Sequence, residues 1–395
     1  MPAEARAALV PAERRAVAVL SAIYATRMLG LFLLLPVLAL HAGALPGGTP
    51  LLAGLAVGAY GLAQAVMQIP FGTWSDRFGR RPVITAGLLL HVAGSALGCL
   101  AGSAWTLIAA RIVQGLGAVS GPVLALLADL TRADARTRAL ALIGISIGLT
   151  FVLSLVAGPA LAGAIGVAGI FALMGGLGLA GLGLLWLGLP ASPRAEAPPA
   201  SGPDWRGAFH ARLLPLYAGV FALHLSLTAV FVAVPYALRD LHGIAAAEHW
   251  RVYLAVFAAS LSLTVPLILW SERTARPAAT LVTAGVLLVL AQAALAWLHA
   301  DRTGLLAALV LFFGVFNFLE ARLPASLADL AGAGLRGTAL GVFATCQFLG
   351  AFAGGLAGGL LLGSAASLTG VFSVAAMATG AWLLVAGANR GEDRT

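Results

Sequence analysis

Twelve apolar runs of about 20 residues each follow one another along this chain, near 16–40, 51–73, 83–100, 105–128, 139–164, 167–190, 214–237, 249–270, 278–299, 304–325, 337–363 and 366–388. A helix of that length spans a hydrocarbon core of about 30 Å. Lipid offers no partner to exposed backbone groups, so the spans are expected to be helices. Composition agrees: 61% of the 395 residues are hydrophobic and 10% charged, against about 25% charged in soluble domains. Lipid must be the solvent for much of the surface. The first run is too long, and its N-terminal flank too mixed, for a cleaved leader, so it is read as a signal anchor.

Charge orients the spans. All 23 basic residues are arginine, and the formal net charge is +8. Seventeen fall on one face: Arg6, Arg14, Arg15, Arg77, Arg80, Arg81, Arg132, Arg136, Arg138, Arg194, Arg206, Arg212, Arg273, Arg276, Arg336, Arg390 and Arg394. Only Arg239, Arg251 and Arg302 fall on the other, and Arg27, Arg111 and Arg322 lie within spans. By the positive-inside rule both termini are expected in the cytoplasm of a bacterial inner membrane. Short arginine bursts between apolar runs do not form the clustered patch that nucleic acid requires. Cys99 and Cys346 sit inside apolar runs without metal-ligand spacing, and no metal or cofactor is expected.

The chain reads as a duplication. Leu127-Ala128-Asp129-Leu130 recurs as Leu327-Ala328-Asp329-Leu330, and Arg136, Ala139 and Leu140 recur as Arg336, Ala339 and Leu340. Ser75-Asp76-Arg77 before Arg81-Pro82 is echoed by Ser271-Glu272-Arg273 before Arg276-Pro277. The expected organisation is a six-helix bundle over 1–190, a proline-interrupted cytoplasmic linker over 191–212 and a second six-helix bundle over 213–395. Parallel repeats of this kind put a substrate path between the halves near mid-membrane.

Three motifs carry a family resemblance. After the second span stand Gly72, Asp76, Arg77, Gly79, Arg80 and Arg81, with Gly72 read as allowing close helix approach and Gly79 a tight turn. This resembles the cytoplasmic loop signature of the major facilitator superfamily. Arg111 through Gln114 to Ala118 resembles that family's intramembrane arginine motif. Gly158-Pro159 with Gly163 resembles the Gly-Pro motif of drug:proton antiporters, departing from it where Ser154 and Ala162 replace glycine. The segments Arg27–Phe32, Leu35–Leu38 and Ala247–Leu254 look similar to bacterial YajR-type efflux transporters. Members of that group can carry a soluble C-terminal domain, whereas this chain stops soon after its last span. The resemblance implies an all-α major facilitator fold of twelve helices in two pseudo-symmetric bundles. It also implies that Asp76 meets the helix start at Gly337–Thr338 and locks the halves outward-open. Asp129 is then expected to pair with Arg77 or Arg81.

Ionisable groups inside a membrane are costly and mark function. Arg27 lies about 16 Å into the first span at 1.5 Å per residue, which points to a cavity or a buried partner. Glu320 is a candidate proton carrier, because burial and a neighbouring Arg322 pull a carboxyl's proton affinity in opposite directions. Its alternative is a structural ion pair with Arg322. His224 could also exchange protons or equally be a packed, hydrogen-bonded core histidine, while His91 reads as core. Tyr60, Gln64 and Gln68 share one helix face. With Gln114, Asn317 and Gln347 they are candidates for a moderately polar cavity lining. Phe32, Phe231, Phe316 and Phe318 could add apolar walls, with lipid contact or packing the default reading for any one of them.

No catalytic constellation or lysine-bearing phosphate loop is present, so neither an enzyme nor an ATP-driven pump is expected. The expected function is proton-coupled export of small lipophilic or amphiphilic compounds by alternating access, by a monomer in the bilayer. Proton symport or uniport of a nutrient such as a sugar or organic anion is the rival, and a non-transporting membrane sensor is the alternative of another class.

Overall fold

The computed structural model describes residues 9–132, 134–190, 205–274, 277–364 and 367–392. Most of the predicted linker, with Arg194 and its prolines, lies outside the described residues, as do Arg6, Arg276 and Arg394. Among the described residues eleven helices are long and apolar enough to cross a membrane. One of them, Arg138–Leu187, has 50 residues, about 75 Å at the helical rise, which exceeds any bilayer. Gly166 (φ +71°, ψ 170°) breaks it into two crossings, which makes twelve. Gly332 takes nearly the same conformation (φ +66°, ψ 174°) between the tenth and eleventh. That region of backbone space is open essentially only to glycine.

Several expected boundaries move, and the second crossing runs on through Asp76 and Arg77 to Phe78. The first crossing is Pro11–Phe32; the chain then leaves the helix around Pro36 and resumes as Leu38–Ala44. The fourth divides into Ala104–Leu116 and Ser120–Asp129, with Gly117 at the break. Residues 326–331, expected in a loop, continue the tenth crossing to Gly332.

The duplication is visible in side-chain chemistry. Arg136 donates to the carbonyl of Ala128 at 3.1 Å, and Arg336 donates to that of Ala328 at 3.1 Å. Each clamp ties the start of one crossing to the end of its predecessor, one per half.

The halves meet through glycine. Gly54, Gly58 and Gly61 of the second crossing (Pro50–Phe78) lie against Gly359, Gly355 and the backbone of Phe348 and Phe352 in the eleventh (Gly334–Leu362). A side chain at Gly54 would collide with the Gly355 carbonyl and the Gly359 backbone. Without a hydrophobic drive between helices in lipid, such small-residue faces let backbones pack directly. Nearby, the Tyr236 hydroxyl donates to the Ala39 carbonyl at 3.1 Å, and Gly163 abuts Ala247. These contacts belong to the middle and to the arginine-poor face. Towards the arginine-rich face, the places where side chains would stand at Gly144, Gly148, Gly334, Gly337 and Gly341 are open. Among the described residues the glycine contacts between the halves lie in the middle and on the arginine-poor face, and none lies towards the arginine-rich face.

Candidate functional site

Between the halves lies a cavity of about 200 Å³. Tyr24, Met28, Tyr60 and Ser120 line it from the first half, and His224, Glu320, Gln347 and Phe348 from the second. Of the predicted lining residues Tyr60, Gln347 and Phe32 are in the wall, whereas Gln64, Gln114 and Asn317 are not. Tyr24, Ser120 and Thr228 line it without any sequence signal that sets them apart, although Tyr24 stands one helical turn before Arg27. Phe231, Phe316 and Phe318 are buried packing residues. Phe151, a residue sequence reasoning passed over, stacks with Phe316 and meets Phe32 and Phe257 edge-on at centroid distances of 6.0, 4.8 and 5.8 Å. It joins aromatic groups of both halves.

On the second half His224 holds one ring nitrogen, Nδ1, 3.2 Å from the Val220 carbonyl. Its Nε2 lies 2.8 Å from Gln347 Nε2 and 3.6 Å from Glu320 Oε2. Arg322 does not pair with Glu320: residues two apart on a helix point to different sides, and the Arg322 Nε is buried without a partner. The carboxylate is 43% exposed towards the cavity, whereas the imidazole is 10% exposed.

Behind Tyr60, within the first half, lies a buried cationic cluster. Arg27 donates to Tyr60 Oη at 3.1 Å, Gln64 Oε1 at 3.2 Å, His91 Nδ1 at 3.1 Å, and the carbonyls of Gln114 and Gly117 at 3.3 and 2.5 Å. A guanidinium can only donate, so His91 accepts at Nδ1 and carries its proton on Nε2. Arg111 donates to Gln114 Oε1 at 2.9 Å and lies 4.7 Å from the Tyr60 ring centroid. The two arginines are 2% and 1% exposed. Among the described residues neither meets a carboxylate within ion-pair distance. Arg27 thus occupies the broken end of the helix Ala104–Leu116, where outward-turned carbonyls and the helix dipole favour a cation. It stands behind the cavity wall.

At the arginine-rich face Gly79 (φ +94°) turns the chain into the helix Arg80–Cys99. This places Arg80 between Asp76 and Asp129, the latter at 3.2 Å. Asp129 therefore pairs with Arg80 rather than with Arg77 or Arg81. Arg81 donates to the Pro190 carbonyl, and Arg77 lies over the Phe78 ring. Asp76 binds Arg80 and makes no hydrogen bond to Gly337–Thr338, which lie inside a crossing that begins earlier, at Gly334, so their N–H groups are not at the helix start. The space at Gly72 is open, so no close approach requires glycine there. The Gly158-Pro159 motif packs the fifth crossing onto the break in the first, with Gly158 against the Leu33 carbonyl and Pro36. Sequence reasoning missed Glu13, which is 3% exposed, binds the Arg132 guanidinium at 3.0 Å and accepts from its backbone N–H at 2.9 Å.

Twelve crossings around a central cavity with a few polar groups in an apolar wall define a membrane transporter. The sequence model of the Major Facilitator Superfamily matches residues 20–319, and the chain belongs to that superfamily. It is 40% identical over 386 residues to the inner membrane transport protein YajR of Escherichia coli, covering 96% of this chain and 84% of that protein. An uncharacterised transporter of Buchnera aphidicola is 31% identical, with 84% and 86% covered. The multidrug resistance protein MdtH of Yersinia enterocolitica is 29% identical over 63% of this chain and 62% of its own length. Among solved structures, a bacterial homologue of the human lysosomal transporter Spinster, inward-facing and occupied, superposes with a TM-score of 0.76 at 17% identity, covering 96% of each chain. That likeness concerns the fold.

Proposed function

We propose that this protein is a proton-coupled exporter of small lipophilic or amphiphilic compounds, acting as a monomer in a bacterial inner membrane with both termini in the cytoplasm. The observation that carries the reading is the cavity between the halves, with Glu320 and His224 facing each other across 3.6 Å in its wall. With the arginine-rich face in the cytoplasm, the cavity is sealed from outside by the Gly54–Gly359 contact and parted towards the inside. That is the inward-facing arm of alternating access. A proton taken up by the pair changes the charge exposed in the cavity, and this gives substrate and proton a shared site at which to exchange. The homology to a protein named for multidrug resistance supports an export direction.

The test is transport in proteoliposomes under an imposed pH gradient. Glu320→Gln is expected to retain substrate counterflow and to lose accumulation driven by the gradient. Glu320→Gln that still responds fully to the gradient removes Glu320 from the coupling step. Substrate moving in the same direction as protons would instead make the protein a symporter.

A further inference from the structure

We propose that the central cavity takes a lipophilic monoanion, its acidic head bound by the Tyr60 hydroxyl; this rests on reading that cavity as the transport site. Two guanidinium groups, Arg27 and Arg111, are at most 2% exposed and have no carboxylate partner among the described residues. Full charges in a low-dielectric interior are ordinarily paired. The local compensation here is the end of the helix Ala104–Leu116, whose carbonyls take Arg27. A helix end carries about half an elementary charge, which is well short of two cations. Arg111 is served more poorly still: Gln114 accepts from it, and its Nε is buried without a partner.

Tyr60 brings the edge of this cluster to the cavity wall. Tyr60 separates the cluster from the cavity: its ring lies 4.7 Å from the Arg111 guanidinium carbon and 5.8 Å from that of Arg27. Its oxygen accepts from Arg27 at 3.1 Å. Among the described residues that hydroxyl has no acceptor for its own proton, and Tyr60 is in the cavity wall. It is therefore an unused donor, polarised by a cation behind it, which is what a carboxylate or similar acidic oxygen requires.

Glu320 contributes the opposing charge, but from the other half. It lies beside His224 and is 43% exposed, so water screens it far more than it screens the buried arginines. Two buried positive charges against one screened negative charge leave room for one anion. Met28, Leu31, Leu35 and Phe348 supply the apolar wall for its body.

The experiment compares octanoate, octylammonium and 1-octanol as probes on the purified full chain in lipid nanodiscs, reading the shift of the thermal unfolding midpoint. Octanoate is expected to raise the midpoint most, with an apparent affinity at least tenfold above that of octylammonium. Tyr60→Phe, which keeps the ring over Arg111, is expected to lose most of the octanoate effect and little of any octanol effect. Octylammonium binding as well as octanoate, or an octanoate effect unchanged in Tyr60→Phe, overturns the anion assignment and leaves the cavity as a binding site. No stabilisation by any of the three overturns both. The charge series on the unmodified protein decides the matter even if Tyr60→Phe folds poorly.

Discussion

Arg27 donates to the carbonyl of Gly117 at 2.5 Å, across 90 positions of sequence. The fourth crossing is broken at Gly117–Val119, where the carbonyls of Gln114 and Gly117 exchange their helical donors for Gly117 N–H at 3.4 Å and Val119 N–H at 2.9 Å and turn towards a further donor. The guanidinium of the first crossing takes both, together with three side-chain acceptors. A cation deep in a membrane protein is thereby held by a defect in its neighbour, and each feature makes the other tolerable.

Arg27→Met should therefore destabilise the fold strongly. The Gln114 and Gly117 carbonyls keep backbone donors, but Gln64 Oε1 and His91 Nδ1 lose theirs; each buried acceptor left unpaired costs about 1–3 kcal/mol, so the loss of two amounts to several kcal/mol. Arg27→Lys keeps the charge but lacks the planar fork, and should recover only part. Thermal unfolding in detergent micelles measures both; a midpoint unchanged in Arg27→Met would contradict the account.

Gly54→Val should prevent closure of the arginine-poor face. The added carbons meet the Gly355 carbonyl and the Gly359 backbone, neither of which can move aside without shifting a helix. Spin labels replacing the exposed Trp105 and Trp297, on the arginine-poor ends of the two halves, should read a longer distance in the variant. Identical distance distributions would show that this glycine contact does not set the state.

Glu13→Ala should cost about 1–3 kcal/mol, because it removes the charged acceptor shared by the Val10 and Arg132 backbone N–H groups and the Arg132 guanidinium. Glu13→Gln keeps acceptor oxygen and should lose less. Comparing chemical denaturation of the two variants separates the hydrogen bonds from the ionic part of the contact with Arg132. Equal losses would assign the effect to charge alone.

Asp129→Asn, by contrast, should change stability by no more than about 1 kcal/mol, as for other solvated ion pairs. Its carboxylate is 35% exposed beside Arg80. The small effect should shrink further as salt rises. A loss several times larger, insensitive to salt, would show that this cluster is shielded from solvent.

Much of the architecture was legible because lipid imposes strict rules. Span length, helical geometry and arginine placement are each limited by the absence of water in the hydrocarbon core, and these limits write themselves into local sequence. The repeat at an offset of 200 was legible too, and the paired clamps of Arg136 and Arg336 show what it encodes. The breaks near Pro36 and at Gly117 were not legible, because an apolar run reads the same whether or not it bends. They depend on partners elsewhere: Gly158 against Leu33, and Arg27 against Gly117.

By itself, then, the sequence determined the solvent, the number of crossings and the duplicated plan, since those follow from hydrophobicity and spacing along the chain. Tertiary structure alone decided which polar groups share a wall. Tyr60 and Gln64, one turn apart on the same helix, both meet Arg27, yet only Tyr60 also reaches the cavity wall; Glu320 meets His224 from another crossing rather than Arg322 two residues away. The reason is geometric. Helix periodicity fixes a side chain's direction about its own axis, but only packing of the helices against one another decides what lies in that direction.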